Sequence, residues 1–281
     1  MTIKSRNRFN LIFICIAIVI AVMQTALFIY QIISKTFTVP QVYNPNPSAS
    51  FLFRFNQNYV LIGIFILNIY VIVSAIYIQV QFEKTQSTEV IYFLIFLIAC
   101  LCDTTRILLP LFQVANSYSR VLMHVAYLPL FARILAPLSL LGISVLSTEE
   151  ARHNVNRNTT FIIIASLFFA KLIPFNTAVI LPNFCVSYGY TSTVRYVSFF
   201  ICLASISTIA INNKKSNSSQ KTTIGFALLC IGYSALFYCY NIFNLAVGII
   251  CLGYGSYLYL DELHKLCLWS DDNQKQDKDK F

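Results

Sequence analysis

Long apolar stretches alternate with short polar ones along the chain. Each holds about 20 or more residues, enough for an α-helix to cross roughly 30 Å of hydrocarbon. The pattern predicts an all-α, polytopic membrane helix bundle over residues 1–269, followed by a disordered, charged cytoplasmic tail at 270–281. The predicted spans are residues 9–33, 59–80, 90–112, 121–146, 160–181, 194–211, 222–240 and 243–260.

The last apolar stretch decides between eight spans and seven. Residues 222–260 carry no charged side chain, and this stretch is roughly twice as long as one crossing needs. Two helices fit if the chain turns near Asn241 and Asn244, which hold its only side-chain amides. We therefore expect eight transmembrane helices. One very long helix, giving seven spans, is the alternative.

Lysine and arginine predict the orientation, because they are enriched in cytoplasmic loops. With the N-terminus inside and eight crossings, 13 of the 20 lie on the cytoplasmic side, four lie outside and three lie within spans. Seven crossings would weaken this bias to nine against eight. We expect both termini in the cytoplasm and the chain in a bacterial cytoplasmic membrane.

Composition excludes several functional classes. Hydrophobic residues make up 57% of the chain and charged residues 11%, whereas a soluble domain carries roughly 25% charged residues. The formal charge of +9 follows from topology, and no clustered basic face indicates nucleic-acid binding. Nine cysteines include no C-x-x-C pair, so neither a metal nor a cofactor is expected. Cys185 alone lies in an outer loop and could form an intermolecular disulfide.

Four ionisable residues within predicted spans are the candidate site. Asp103 and Arg106 lie three residues apart on helix 3, Arg133 lies on helix 4 and Lys171 on helix 5. Charges at membrane depth are costly and usually face a partner or a wet cavity. If helices 3 to 5 pack together, one carboxylate meets three cations, and the net charge of +2 favours an anion such as a lipid phosphate or a small carboxylate.

The alternative is that these charges are accommodated separately. Asp103 would then pair with Arg106, while the other two cations would bond backbone carbonyls freed by Pro129, Pro137 and Pro174. Transmembrane glycines form a second feature, because small residues allow helices to approach closely. Gly232 is expected to face Gly253 across the last hairpin, and a homo-oligomer contact is the alternative. The glycines concerned are Gly225, Gly232, Gly248, Gly253 and Gly255.

These patterns favour a non-enzymatic sensory, regulatory or assembly component that acts through membrane lipids or partner proteins. The spans hold a single Asp and a single His, on different helices, and so lack the paired groups that intramembrane hydrolysis needs. No phosphate-binding loop is present. A transporter or permease for a small anionic solute or lipid is the alternative, since buried charge is typical of that class.

Overall fold

The computed structural model describes residues 3–34, 51–83, 85, 87–112, 120–145, 154–215 and 220–278. This part of the chain forms eight long helices, one β-hairpin and a short 3₁₀ turn at Phe51–Phe53. The elements are α1 (Ile3–Ile33), α2 (Gln57–Gln81), α3 (Glu89–Leu111), α4 (Arg120–Val145), α5 (Val155–Leu172), β1 (Phe175–Ile180), β2 (Val186–Tyr188), α6 (Thr191–Lys215), α7 (Gln220–Phe237) and α8 (Ile242–Lys278).

Six of these helices, α1, α2, α3, α4, α6 and α8, are long and apolar enough to cross a membrane. The prediction of an all-α membrane helix bundle is therefore confirmed. Helices α5 and α7 have 18 residues each and carry charged residues close to their ends. Both lie where the sequence predicts a span, and that each of them crosses the membrane stays a prediction.

The second half of the predicted span 160–181 is wrong, because α5 ends at Leu172. Ile173 is extended, with φ −79° and ψ 118°, as expected for a residue that precedes a proline, here Pro174. The chain then forms β1, which pairs with the antiparallel strand β2. Hydropathy alone missed this change, since the strand residues Phe175–Ile180 are largely apolar.

The hairpin is inserted between the helices. Its tip turns through Pro182 and Asn183, and the backbone N–H of Phe184 donates to the Leu181 carbonyl over 3.0 Å. Phe184 has a left-handed φ of 63° and a fully buried ring that packs with Ile107 of α3. Cys185 and Val186 beside it are also buried, so surrounding protein encloses this part of the hairpin. We call the end of the bundle that holds this β-hairpin the hairpin end.

Helices α7 and α8 form the second predicted hairpin. Helix α7 ends at Phe237 and α8 begins at Ile242. The Asn241 side chain accepts the Asn244 backbone N–H over 2.8 Å, which satisfies an otherwise orphaned donor in the first turn of α8. The two-helix interpretation of residues 222–260 is confirmed, and the single long helix is wrong.

Glycines set the close approach of α7 to α8. A Cβ on Gly232 would lie 2.7 Å from the Leu252 Cα, and one on Gly255 would lie 2.8 Å from the Gly225 carbonyl oxygen. Gly248 packs in the same way against Leu236. The predicted pairing of Gly232 with Gly253 is wrong by one position, because a Cβ on Gly253 would meet no atom within 4 Å.

Helix α8 continues to Lys278, so the segment predicted to be disordered, 270–281, is helical as far as that residue. Residues 279–281 lie outside the described part of the chain. Opposite charges four residues apart stabilise a helix, and Lys265 makes such a contact with Asp261 at 2.6 Å. Asp271 and Lys275 repeat the spacing in the sequence, which favours continuation of the helix.

The core of the bundle surrounds α3, whereas α1 and α6 lie at its perimeter. Polar contacts attach the perimeter helix α1. The Asn68 amide of α2 donates to the Gln24 side chain over 2.8 Å, and Gln24 in turn donates to the Thr104 hydroxyl of α3 over 3.3 Å. Such bonds between membrane helices contribute about 0.6 kcal/mol each on average.

Candidate functional site

Asp103 and Arg106 form a buried ion pair near the hairpin end. Helix α3 tightens into a 3₁₀ turn at Thr105–Ile107, and the Arg106 Nη2 lies 3.7 Å from the Asp103 Oδ2. Both side chains are essentially inaccessible, with 0% and 1% exposure. The contact predicted from their spacing is therefore present.

Arg106 also binds the end of a distant helix. Its Nη1 donates to the Phe237 carbonyl over 2.9 Å and its Nη2 donates to the Leu236 carbonyl over 3.1 Å. The last carbonyls of a helix have no partner within it and carry the negative end of the helix dipole. Arg106 thus serves as a positively charged cap for α7.

Asp103 has no hydrogen-bond partner for either carboxylate oxygen among the described residues. Its distance to Arg106 exceeds that of a hydrogen bond, so attraction between charges holds the carboxylate. The Arg106 guanidinium lies 5.5 Å from the Phe237 ring centroid and that of Arg133 lies 4.2 Å from the same ring, so Arg133 lies next to the ion pair. The sequence-based prediction that Asp103, Arg106 and Arg133 come together agrees with this arrangement.

Arg133 lies beside this pair in the middle of α4, with 7% of its surface exposed. It donates to the Tyr238 hydroxyl, and its guanidinium lies 4.2 Å from the Phe237 ring centroid and 5.7 Å from that of Tyr188. Aromatic faces attract such a cation. They carry no charge, however, so they leave the positive charge of Arg133 in place.

Lys171 does not join the cluster. It lies in the last turn of α5, its side chain is exposed, and its Nζ lies 3.9 Å from the Tyr127 ring centroid. The expected convergence of all four charges is thus wrong for this residue. Its predicted position within a span assumed a helix continuing to residue 181, whereas α5 ends at Leu172, before Pro174.

A second arginine takes the place expected for Lys171. The guanidinium of Arg195, near the start of α6, lies 5.2 Å from the Tyr238 ring centroid, while that of Arg133 lies 5.0 Å from the same ring. Arg195 is exposed, whereas Arg133 is buried. From its position in the sequence, Arg195 is one of the four basic residues expected outside the membrane. No local pattern indicates this pair, because Arg133 lies on α4, Arg195 on α6 and Tyr238 in the turn after α7.

Both arginines line a cavity of about 220 Å³ at the hairpin end, which we call the arginine cavity. No carboxylate is found among its described lining residues, which are Arg133, Leu181, Pro182, Asn183, Tyr188, Thr191, Arg195, Tyr238 and Tyr240. Burial raises the pKa of Tyr188, and the charge of Arg133 opposes that effect. The neutral phenol therefore remains a hydrogen-bond donor at physiological pH.

The charge balance predicted from the sequence is kept with one substitution. Among the described residues, Asp103 is the carboxylate that pairs with Arg106, and Arg195 supplies the third cation beside the Tyr238 ring that it shares with Arg133. With all four groups ionised the net charge is about +2. The buried groups Asp103, Arg106 and Arg133 carry +1 of this charge, which is unfavourable unless water or an anion compensates it, whereas Arg195 is exposed. The arrangement can hold an anion between two guanidinium groups and phenol donors.

Cysteine chemistry is not indicated at this end of the bundle. Cys185 is 4% exposed, and burial raises the pKa of its thiol to about 12. The intermolecular disulfide considered for Cys185 therefore conflicts with the burial of this residue in the turn between β1 and β2. Within the described ranges, no group of three or more His, Cys, Asp or Glu side chains could hold a metal ion.

The chain matches no protein-family model, no curated protein and no solved structure.

Proposed function

We propose that this chain is a non-enzymatic, multi-pass membrane protein of the sensory, regulatory or assembly class, and that it works by binding an anionic group in the arginine cavity. The observation that carries the proposal is the pair Arg133 and Arg195, which share the Tyr238 ring in a cavity whose described lining includes no carboxylate. Guanidinium groups bind phosphate and carboxylate oxygens through paired hydrogen bonds.

The proposed topology has eight crossings with both termini in the cytoplasm. It requires the start of α1, the α2–α3 loop and the C-terminal part of α8 to lie at the same end of the bundle. In support, Arg6 donates to the Thr85 carbonyl over 2.7 Å, and the ring centroids of Phe82 and His264 lie 5.4 Å apart. The enrichment of basic residues on this side favours the cytoplasm.

The same topology requires the α1–α2 loop, the β-hairpin and the α7–α8 turn to share the opposite end. The backbone N–H of Asn56 donates to the Tyr240 carbonyl over 2.9 Å, and Tyr240 lines the arginine cavity together with hairpin residues. In the proposed orientation, the arginine cavity therefore opens toward the exterior of a bacterial cytoplasmic membrane. Its ligand would be an external anion or an outer-leaflet lipid.

Thermal unfolding of the detergent-purified protein tests anion binding, with inorganic phosphate as the probe. We expect phosphate to raise the unfolding midpoint of the unmodified chain and Arg195→Gln to abolish that increase. Arg195 is exposed, so this variant is expected to fold normally. Arg133→Gln should have the same effect, although its buried position makes it the secondary variant.

Lys171→Leu is the matched control, because it removes an exposed cation from the same end of the bundle but outside the arginine cavity. Its response to phosphate should equal that of the unmodified chain. The proposal fails if neither inorganic phosphate nor an anionic lipid shifts the unfolding midpoint of the unmodified chain. It also fails if Arg195→Gln responds as strongly as Lys171→Leu does.

Transport of a small anionic solute or a lipid is the second candidate. It is favoured by the interruption of α3 at Thr105–Ile107, directly after the ion-paired Asp103, and by Pro129 and Pro137 within α4. Broken helices beside charged groups near mid-depth are typical of transporters. Uptake of labelled phosphate into proteoliposomes distinguishes the two classes. A binding protein retains a stoichiometric amount, whereas a transporter loads the lumen in multiple turnovers.

A further inference from the structure

A larger, mostly apolar depression at the side of the bundle adjoins the arginine cavity. This second cavity has a volume of about 500 Å³ and is bounded by residues of α4, α6, α7 and α8. It shares Arg133, Arg195 and Tyr238 with the arginine cavity. We call it the lateral groove. Its apolar walls include Phe199, Leu203, Ile206, Ile231 and Val247.

The lateral groove opens on the surface that faces lipid in a membrane-spanning arrangement. Phe199 is 60% exposed, and Leu203 and Ile231 are about half exposed. Along α6, the groove extends from Arg195 to Ile206, a distance of about 16 Å at 1.5 Å per residue. That is about half the thickness of a hydrocarbon core of roughly 30 Å, so the groove follows α6 through one leaflet.

Charge is arranged along this length as it is in an anionic lipid. The cationic groups Arg133 and Arg195 lie at the hairpin end of the groove, and its remaining length is predominantly apolar. A small soluble anion would use only the charged end. An amphiphile with one negative headgroup and an acyl chain would use both.

Resting on the proposed function, we infer that the occupant of this site is a lipid with a monoanionic phosphate headgroup, bound from the adjacent leaflet. The phosphate oxygens lie between Arg133 and Arg195, and one acyl chain follows α6 along the lateral groove. The inference concerns the ligand class and the path of its chain, which anion binding alone leaves open. Burial of only two methylene groups of the acyl chain would strengthen lipid binding about tenfold over binding of the headgroup alone.

The test compares three probes added to the purified protein in a neutral maltoside detergent: inorganic phosphate, dioleoyl phosphatidylglycerol and dioleoyl phosphatidylcholine. The two lipids have the same chains, but only phosphatidylglycerol has a net negative charge. We expect phosphatidylglycerol to raise the unfolding midpoint at a concentration at least about tenfold below that of inorganic phosphate. Phosphatidylcholine should produce a much smaller increase.

A second pair of variants distinguishes binding of the acyl chain from binding of the headgroup. Ser198 lines the lateral groove, so Ser198→Trp fills the groove while leaving both arginines in place. Phe200→Trp is the matched control, because Phe200 lies on the same helix, is 62% exposed and is not among the groove residues. We expect Ser198→Trp to reduce the response to phosphatidylglycerol to the level of phosphate, and Phe200→Trp to leave it unchanged.

Two results would overturn the inference while the proposed function stands. One is an equal response to phosphate and phosphatidylglycerol, which would indicate a soluble anion. The other is an undiminished response of Ser198→Trp to phosphatidylglycerol, which would show that the acyl chain lies outside the lateral groove. If no anionic probe stabilises the unmodified protein, the proposed function and the inference both fail.

Discussion

The Nη1 of Arg106 donates to the carbonyl oxygen of Phe237 over 2.9 Å, and this bond connects α3 to the end of α7. The same guanidinium lies beside the Asp103 carboxylate. One side chain therefore compensates both a helix dipole and a buried negative charge. This double role explains how an arginine with 0% exposure can remain ionised among apolar residues.

Replacing Arg106 should destabilise the bundle strongly. Arg106→Leu leaves the buried Asp103 carboxylate and two α7 carbonyls without their partner, and breaking a buried ion pair in this way costs about 3–5 kcal/mol. The double variant Asp103→Asn with Arg106→Leu should recover part of that loss, because the uncompensated charge is gone. Reversible unfolding in a denaturing detergent measures both. Equal stability of the single and double variants would contradict the ion-pair interpretation.

The glycine positions on α7 and α8 should differ sharply in their tolerance of alanine. Gly232→Ala places a methyl group against the Leu252 backbone and should cost about 1–3 kcal/mol by overpacking. Gly253→Ala meets open space and should be neutral or stabilising by about 0.5–1 kcal/mol, because alanine is the better helix former. Thermal unfolding compares them, and similar losses at both positions would show that the register is wrong.

Cys185 should resist alkylation. Burial raises the pKa of its thiol to about 12. The protonated thiol therefore predominates in the folded protein until the pH approaches that value. At pH 8 the thiolate fraction should be about a thousandfold below that of an ordinary cysteine. Ser192→Cys provides an exposed thiol at the same end of the bundle as a control. Peptide mapping after maleimide treatment should find the control modified and Cys185 unmodified, and rapid labelling of Cys185 would refute its enclosure.

The eight-crossing topology predicts where the C-terminus lies. A reporter enzyme that is active only outside the cytoplasm should be inactive when fused after Phe281, and a fluorescent protein at the same position should be bright. A fusion after Ser192, next to the hairpin, should show the opposite pattern. An active external reporter after Phe281 would exclude an even number of crossings.

The helices of this fold could be predicted because their signal is local. Runs of apolar residues predict all eight, and Asn241 with Asn244 predicts the turn before α8. The break after α5 also had a local signal in Pro174, but the apolar strand that follows obscured it. The wrong expectation that Lys171 joins the charge cluster follows from that error.

The candidate site was only partly predictable, because its geometry depends on tertiary packing. Asp103 and Arg106 were found from their spacing on one helix, and Arg133 from its position within a span. Arg195 and Arg133 are far apart in the sequence, and only the tertiary structure brings both to the Tyr238 ring. The error at Gly253 has a similar origin, since a shift of one residue in an antiparallel helix pair moves a side chain off the contact.

A double-mutant cycle on Arg133 and Arg195 tests the central claim most directly. Phosphate-induced stabilisation is measured for the unmodified chain, Arg133→Gln, Arg195→Gln and the double variant, with each compared to its own anion-free midpoint. If both guanidinium groups hold one anion, each single variant should lose most of the stabilisation and the double variant should lose little more. Losses that simply add, or full stabilisation in either single variant, would contradict a shared anion site.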